Sequence, residues 1–187
     1  MSDAGSEPLY LDEVKENLRI MTDDEDALLA ALIVAARQHV ENVTGLILTA
    51  REIVETARDF GAYGLDLRAW PVRSITSIGY VDVVGNGQTL ASTGYVASLV
   101  QRPVRIVPAY ASRWPALARR PAAVVVTMQA GFEGPEVVPQ AIKQAMHLLI
   151  VHWYANRAAA EVGGRAAAIE IPMGVTALLN NYRSRSI

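Results

Sequence analysis

Apolar residues recur at helical spacing near both ends of the chain and at alternating or unbroken spacing in its middle. Leu11, Val14 and Leu18 stand at i, i+3 and i+7, one stripe of a 3.6-residue period, and predict a short helix over residues 10–18. A second stripe, Leu28, Leu29, Leu32, Ile33, Ala36, Val40 and Val43, predicts a helix reaching about residue 43, with Thr44-Gly45 as its stop. Thr22-Asp23-Asp24-Glu25 has the form of a capping box ahead of that helix, the Thr22 hydroxyl accepting from the third backbone N–H and Glu25 reaching back. Asp23, Asp24 and Asp26 would then face the positive end of the helix dipole. The same run lacks the alternate spacing, central glycine and closing glutamate of a calcium loop.

From residue 46 to residue 131 the texture is that of short strands with turn punctuation. Residues 52–57, 64–67, 88–91, 95–97 and 104–107 predict strands. Residues 74–84 alternate, Ile75, Ser77, Gly79, Val81 and Val83 on one side, Thr76, Ile78, Tyr80, Asp82 and Val84 on the other, and Gly85-Asn86-Gly87 predicts a hairpin turn after them. Residues 122–130, with three consecutive valines, predict a buried strand. Helical texture returns at Pro139, which suits a first turn, and continues to about residue 160. Residues 145–155 are apolar almost all round, as in a helix covered on most sides. Gly163-Gly164 and the alanines around them read as a mobile linker. Val175, Leu178, Leu179 and Tyr182, at i, i+3, i+4 and i+7, predict a last short amphipathic helix over residues 172–182. The expected class is α+β: a helical core of two N-terminal and two C-terminal helices with an inserted small β-rich domain. The expected divisions are residues 9–45, 46–131 and 136–160, then 161–187 as linker and docking helix.

Composition narrows the function more than the fold. With 187 residues, 51% apolar and 19% charged, the chain is long and apolar enough to fold around a core. It has no cysteine, which removes thiol catalysis, disulfides and cysteine-based zinc sites. The opening MSDAGSEPLYLDE has no signal-peptide texture, and the longest apolar stretch is about half a membrane span. A soluble protein of a reducing compartment is expected, with no membrane partner.

The net charge of −2 hides an asymmetry. Residues 1–26 hold nine acids and two bases; the remainder holds fifteen bases and ten acids. No acid occurs between Asp82 and Glu133, while Arg102, Arg105, Arg113, Arg119 and Arg120 fall in that gap. Such a chain suits head-to-tail contact between copies, a basic face toward an anionic partner, or simply a solvated arginine-rich strand surface.

Catalytic signals are poor. His147 and His152 are five apart, which turns them away from each other on a helix and makes them notches in a packed surface, unlike an i, i+4 metal pair. Phosphate loops, dinucleotide fingerprints and nucleophile elbows do not occur in the sequence. The arginines are spread out, no helix presents a basic recognition face, and Trp70, Trp114 and Trp153 read as core or platform residues. The C-terminal stripe has two readings, folding back on its own core or lying in a groove of another chain.

Together these residues resemble a known family. The segment YLDEVKENLRI followed by TDDEDALLAALIVAARQHVENVTG looks like the opening of the phage head–tail connector (adaptor, head-completion) family of long-tailed phages and gene-transfer agents. Trp70-Pro71-Val72 with Ser74-Ile75 and Ser77-Ile78 resembles its β insertion, as does Arg119-Arg120-Pro121-Ala122 with the valines after it. Val138-Pro139 with Ala141-Ile142, Leu148-Leu149 and His152-Trp153-Tyr154, then Ile171-Pro172 with Gly174-Val175 and Ala177-Leu178-Leu179, resembles its last two helices.

The resemblance implies a structural role without catalysis or cofactor. Family members form a ring, usually of twelve subunits, beneath the portal, extend the DNA channel and seat stopper or tail-terminator proteins. Their C-terminal segment docks on the portal, which carries over here to Val175, Leu178, Leu179, Tyr182, Arg183 and Arg185. The implied location is the neck of a virion or phage-like particle, assembled in the bacterial cytoplasm, with transient non-specific contact with DNA. Arg102, Arg105, Arg113, Arg119 and Arg120 are candidates for a channel or inter-subunit face on charge alone. A C-terminal segment that orders on docking would let residues 172–187 be deleted without unfolding the protein. Two other readings stay open: a nucleic-acid-binding module using the Arg102–Arg120 tract, and an enzyme whose divergent site holds perturbed carboxylates.

Overall fold

A computed structural model describes residues 6–156 and 171–183. The linker expected at 161–170 and the docking residue Arg185 lie outside the described residues. The chain divides into a β unit, Ala50–Gly131, and a helical unit drawn from Gly5–Thr49 and Phe132–Ile187. The α+β class is borne out, with helices at both ends of the chain and two antiparallel sheets between them.

The helical unit contains α1 (Leu11–Leu18), α2 (Asp26–Thr44), α3 (Gln140–Ala155) and α4 (Met173–Leu179), the last followed by a 3-10 turn over Asn180–Tyr182. The α3 helix lies against the other three. Ile142, Ala145, Met146, Leu149 and Ile150 of α3 are buried, as are Val14 of α1, Leu29, Ile33, Ala36 and Val40 of α2, and Val175 and Leu179 of α4. Pro139 sits one residue before α3, where its carbonyl accepts from the Ile142 N–H at 2.9 Å. Gly45, at φ 68°, closes α2 in the left-handed conformation that the Thr44-Gly45 stop predicts.

The start of α2 differs from the capping-box expectation. The helix begins at Asp26, with Glu25 and not Thr22 as its cap. The acidic run forms a turn whose Asp23 and Asp26 grip Lys15 of α1, at 2.5 and 2.8 Å from its ammonium. A local capping signal lost to a cross-helix ion pair, because α1 brings a lysine stem that is 87% buried into reach of both carboxylates. The capping geometry appears one helix earlier, where Glu13 accepts from the Tyr10 N–H at 3.2 Å.

The Lys15 clamp has a pH signature. The hydrogen bonds that Lys15 donates to Asp23, then Asp26, raise the Lys15 pKa, and the bond from Lys15 holds Asp23 below its usual value. Asp23 therefore contributes stability above the unfolded carboxylate pKa, near about 3.9, and loses it as pH falls through the lowered folded value. Lys15→Met should melt below wild type at pH 7, with the gap closing by pH 2; an equal gap at both pH values would remove the clamp from the account.

The β unit holds two sheets. β1 (Arg51–Ala57), β7 (Val124–Ala130), β3 (Val72–Val81) and β4 (Gly87–Thr89) lie in that spatial order, and β2 (Leu65–Leu67), β6 (Val104–Pro108) and β5 (Tyr95–Ser98) form the second sheet. Val124, Val126, Met128 and Ala130 of β7 point to one buried face. Phe60 stacks on Trp114, with ring centroids 4.3 Å apart, and meets Tyr80 edge-on. The Glu55 carboxylate accepts from the N–H groups of Arg68 and Ala69, at 3.0 and 2.6 Å, and so ties the end of β2 to β1.

Strict alternation along residues 74–84 does not hold. Register shifts between Val72 and Ser74 and between Ile75 and Ser77 put Ile75 opposite Met128 and Ile78 opposite Val126, on one face despite their odd spacing. The strand also stops at Val81, leaving Val83 and Val84 at 67% and 80% exposure in the hairpin turn.

Candidate functional site

Two surfaces carry the residues the sequence singles out. The first is the C-terminal helix. Pro172 has no N–H to lose at a helix start, and its carbonyl accepts from the Val175 N–H at 2.9 Å. Seven residues are too few for a helix to persist in water alone, so α4 depends on what it packs against. Val175 and Leu179 supply that packing, each 1% exposed against the helical unit. As placed, these two docking candidates are core residues. Leu178 and Tyr182 are half-buried and Arg183 is exposed. Met173, absent from the predicted set, is 89% exposed at the start of the helix, with Ile171 at 37% just before it.

The second surface is basic. Residues 50–131 carry nine arginines against five carboxylates, while the rest of the chain carries fourteen acids and eight bases. Within the Arg102–Arg120 tract the arginines differ in burial and partners. The Arg105 guanidinium binds Asp66 through two bonds, at 2.6 and 2.7 Å, because β2 and β6 pair these residues directly across the ladder. That fork lowers the Asp66 pKa and raises that of Arg105. Arg102 is half-buried, and its burial lowers its pKa. Arg113, Arg119 and Arg120 are exposed.

Arg119 and Arg120 have a defined seat. The Val81 carbonyl accepts from the Ala118 N–H at 3.0 Å, and the Val81 N–H donates to the Ala123 carbonyl at 2.9 Å. Both ends of the turn that carries the two arginines are thus pinned to one residue of β3. The adjoining β3–β4 turn is held by Asp82, whose Oδ1 accepts from the N–H groups of Val84 and Asn86, at 3.0 and 2.9 Å. These bonds, the Asn86 one foremost, hold the Asp82 carboxyl below its ordinary pKa. Gly85, at φ 98°, takes the left-handed position that the turn requires.

A polar cavity of about 480 Å³ lies between α1 and α3, with Glu13, Glu16, Lys143 and His147 among its lining. Lys143 Nζ stands 4.0 Å from Glu13. Burial keeps His147 below its usual pKa, with Glu13 pulling it up and Lys143 pushing it down. Two acids, three amides, Lys143 and His147 line this open seam between the two helices. Among the described residues no group of three or more histidines and carboxylates is placed to hold a metal ion, and no helix is long and apolar enough to cross a membrane.

Sequence reasoning missed Arg37. It sits on the buried face of α2, 4% exposed, with Nε 2.9 Å from Glu7 and Nη1 3.3 Å from Glu41. Glu41 in turn accepts from the Leu48 N–H at 2.7 Å. An arginine one residue beyond Ala36 falls on the edge of the apolar stripe, and that position was its only sequence signal. Tyr154 of α3 likewise bonds Glu25 at the start of α2.

A family model described as phage gp6-like head-tail connector protein matches residues 8–63. No curated protein matches the chain. Among solved structures, the chain is similar to the neck of an empty GTA particle with C6 symmetry, at 25% identity and a TM-score of 0.70, covering 96% of this chain and 91% of that one. It is also similar to the virion of a native gene transfer agent (GTA) particle, at 24% identity and a TM-score of 0.67, with the same coverage. The neck of a native GTA particle with C12 symmetry gives 24% and 0.63, covering 93% and 89%. The family match takes in α1, α2 and β1, whereas the structural likeness runs nearly end to end and includes the β unit.

Proposed function

We propose that this chain, whose resemblance to the phage head–tail connector family is borne out, is a structural subunit of a particle neck. The observation that carries the reading is the end-to-end likeness to a GTA neck structure, together with the connector match over residues 8–63. In the finer reading, copies form a ring that joins the portal to stopper or tail-terminator proteins and continues the DNA channel. The twelvefold and sixfold symmetry of the similar necks supports a ring. A closed ring needs two different complementary patches on each subunit, and the arginine-rich 50–131 segment and the acidic remainder supply opposite charge. DNA must slide through such a channel, which a net charge of −2 suits better than a basic cleft would.

Portal docking falls to the exposed side of the C-terminal element: Met173, Leu178, Tyr182 and Arg183. Val175 and Leu179 serve it indirectly, by holding α4 on α3. Assembly takes place in the bacterial cytoplasm, where the capsid is filled.

Cryo-electron microscopy of particles from cells producing an N-terminally tagged copy tests this reading. The expected result is density for this chain as a ring between portal and tail. Folded, tagged protein recovered only outside particles would overturn it, and salt-dependent DNA binding by the free protein would then favour the nucleic-acid reading.

A further inference from the structure

The hairpin tip of the β unit exposes apolar side chains beside exposed arginines. Val83 and Val84 are 67% and 80% exposed, two adjacent branched apolar side chains that the turn holds out in water. The tip is rigid, because Asp82 fixes its backbone through Val84 and Asn86. Beside it, the turn pinned on both sides to Val81 presents Arg119 and Arg120, both exposed. An apolar pair flanked by two guanidiniums asks for an apolar surface rimmed by carboxylates.

The helical unit carries such a surface at the α1–α2 corner. Met21 is 94% exposed and Leu28 39% exposed. Between them Asp24 is exposed, next to Asp23, whose side chain remains 89% exposed although it binds Lys15. This corner carries exposed carboxylates where the tip carries exposed guanidiniums, and both expose apolar side chains. Charge complementarity of this kind sets orientation and partner choice, while the apolar pairs supply the buried area.

We propose that the Val83-Val84 tip with Arg119 and Arg120 docks on the Met21, Asp24 and Leu28 corner of a second copy of this chain. The contact is heterologous: each subunit offers its tip to one neighbour and its corner to the other, which is the arrangement a ring requires. The inference rests on the neck reading above and deepens it by naming the two faces. It also gives the exposed arginines a protein partner in place of DNA.

Charge reversal in the full-length chain tests it, read as oligomer mass by native mass spectrometry and as occupancy of the neck in purified particles. Asp24→Arg alone, and Arg119→Glu with Arg120→Glu, should each weaken self-association on the order of tenfold or more per reversed charge. The chain carrying all three substitutions should recover it, because both faces then change sign together. Val83→Ser with Val84→Ser should weaken association while the melting temperature stays near the wild-type value, since both side chains are largely exposed. Wild-type rings that tolerate all of these changes would overturn this inference and leave the neck reading standing. A wild-type chain absent from particles and monomeric at every concentration would overturn both. Loss of salt-dependent DNA affinity in the arginine variants, with oligomers intact, would assign the tip to nucleic acid.

Discussion

Arg37→Ala is expected to unfold the helical unit more readily than any surface substitution in this chain. Removing the guanidinium takes from Glu41, whose side chain is only 12% exposed, its ion pair with Arg37. It also releases Glu7 and with it the segment leading into α1. Breaking a buried ion pair from one side costs about 3–5 kcal/mol. For a chain of this size that lowers the melting temperature by roughly 6–20 °C. Glu41 should suffer less where its charge is also removed, so Arg37→Met with Glu41→Gln is expected to recover part of the loss, although the Leu48 N–H then bonds a weaker acceptor. Thermal melts followed by circular dichroism at helical wavelengths provide the check. An Arg37→Ala melt superimposed on wild type would mean that water satisfies Glu41 and that the network contributes nothing.

The second large effect separates folding from docking at the C-terminal helix. Leu179 is 1% exposed, and Leu179→Ala should cost about 2–5 kcal/mol through lost burial and the cavity left behind. Met173→Ala and Arg183→Ala touch exposed side chains and should change stability by no more than about 0.5 kcal/mol. Under the neck reading they nonetheless reduce incorporation into particles. Denaturant unfolding measured beside particle occupancy gives the two readouts independently. Equal stability loss from all three substitutions would mean that this end of the chain has no separate docking face. The burial also changes what truncation should do. Deleting residues 172–187 removes two core side chains, so the shortened chain should melt below wild type, contrary to the expectation that it folds unchanged.

Several features of the fold were legible because their causes are local. The helical periods of residues 11–18 and 28–43, the Gly45 stop and the Gly85-Asn86-Gly87 turn each depend on a few neighbouring residues and a backbone preference, and each is present in the structure. The start of α2 was misread for the opposite reason. Its competitor was Lys15, brought from α1 to Asp23 and Asp26, and a capping motif carries no information about what another helix will place beside it. The alternation in β3 failed because a bulge inserts one residue without any mark in the side-chain pattern, and every residue after it changes face.

The site divides along the same line. The amphipathic stripe at Val175, Leu178, Leu179 and Tyr182 was plain in the sequence, but a stripe states that a face will be covered and not by what; Val175 and Leu179 are buried, with α3 the main neighbour of α4, while Leu178 and Tyr182 are only half-buried. The acid-free interval from Asp82 to Glu133 suggested a basic tract, yet Asp66 reaches Arg105 across a ladder between residues 39 apart. The sequence by itself determined the class of most segments and the charge asymmetry, which follow from composition and short-range pattern, and its motifs carried the resemblance to head–tail connectors. Tertiary structure alone decided which arginines stay exposed, which apolar residues belong to the core and which acids hold a partner, because those outcomes depend on pairings between residues distant in the chain, whose energies no local pattern records.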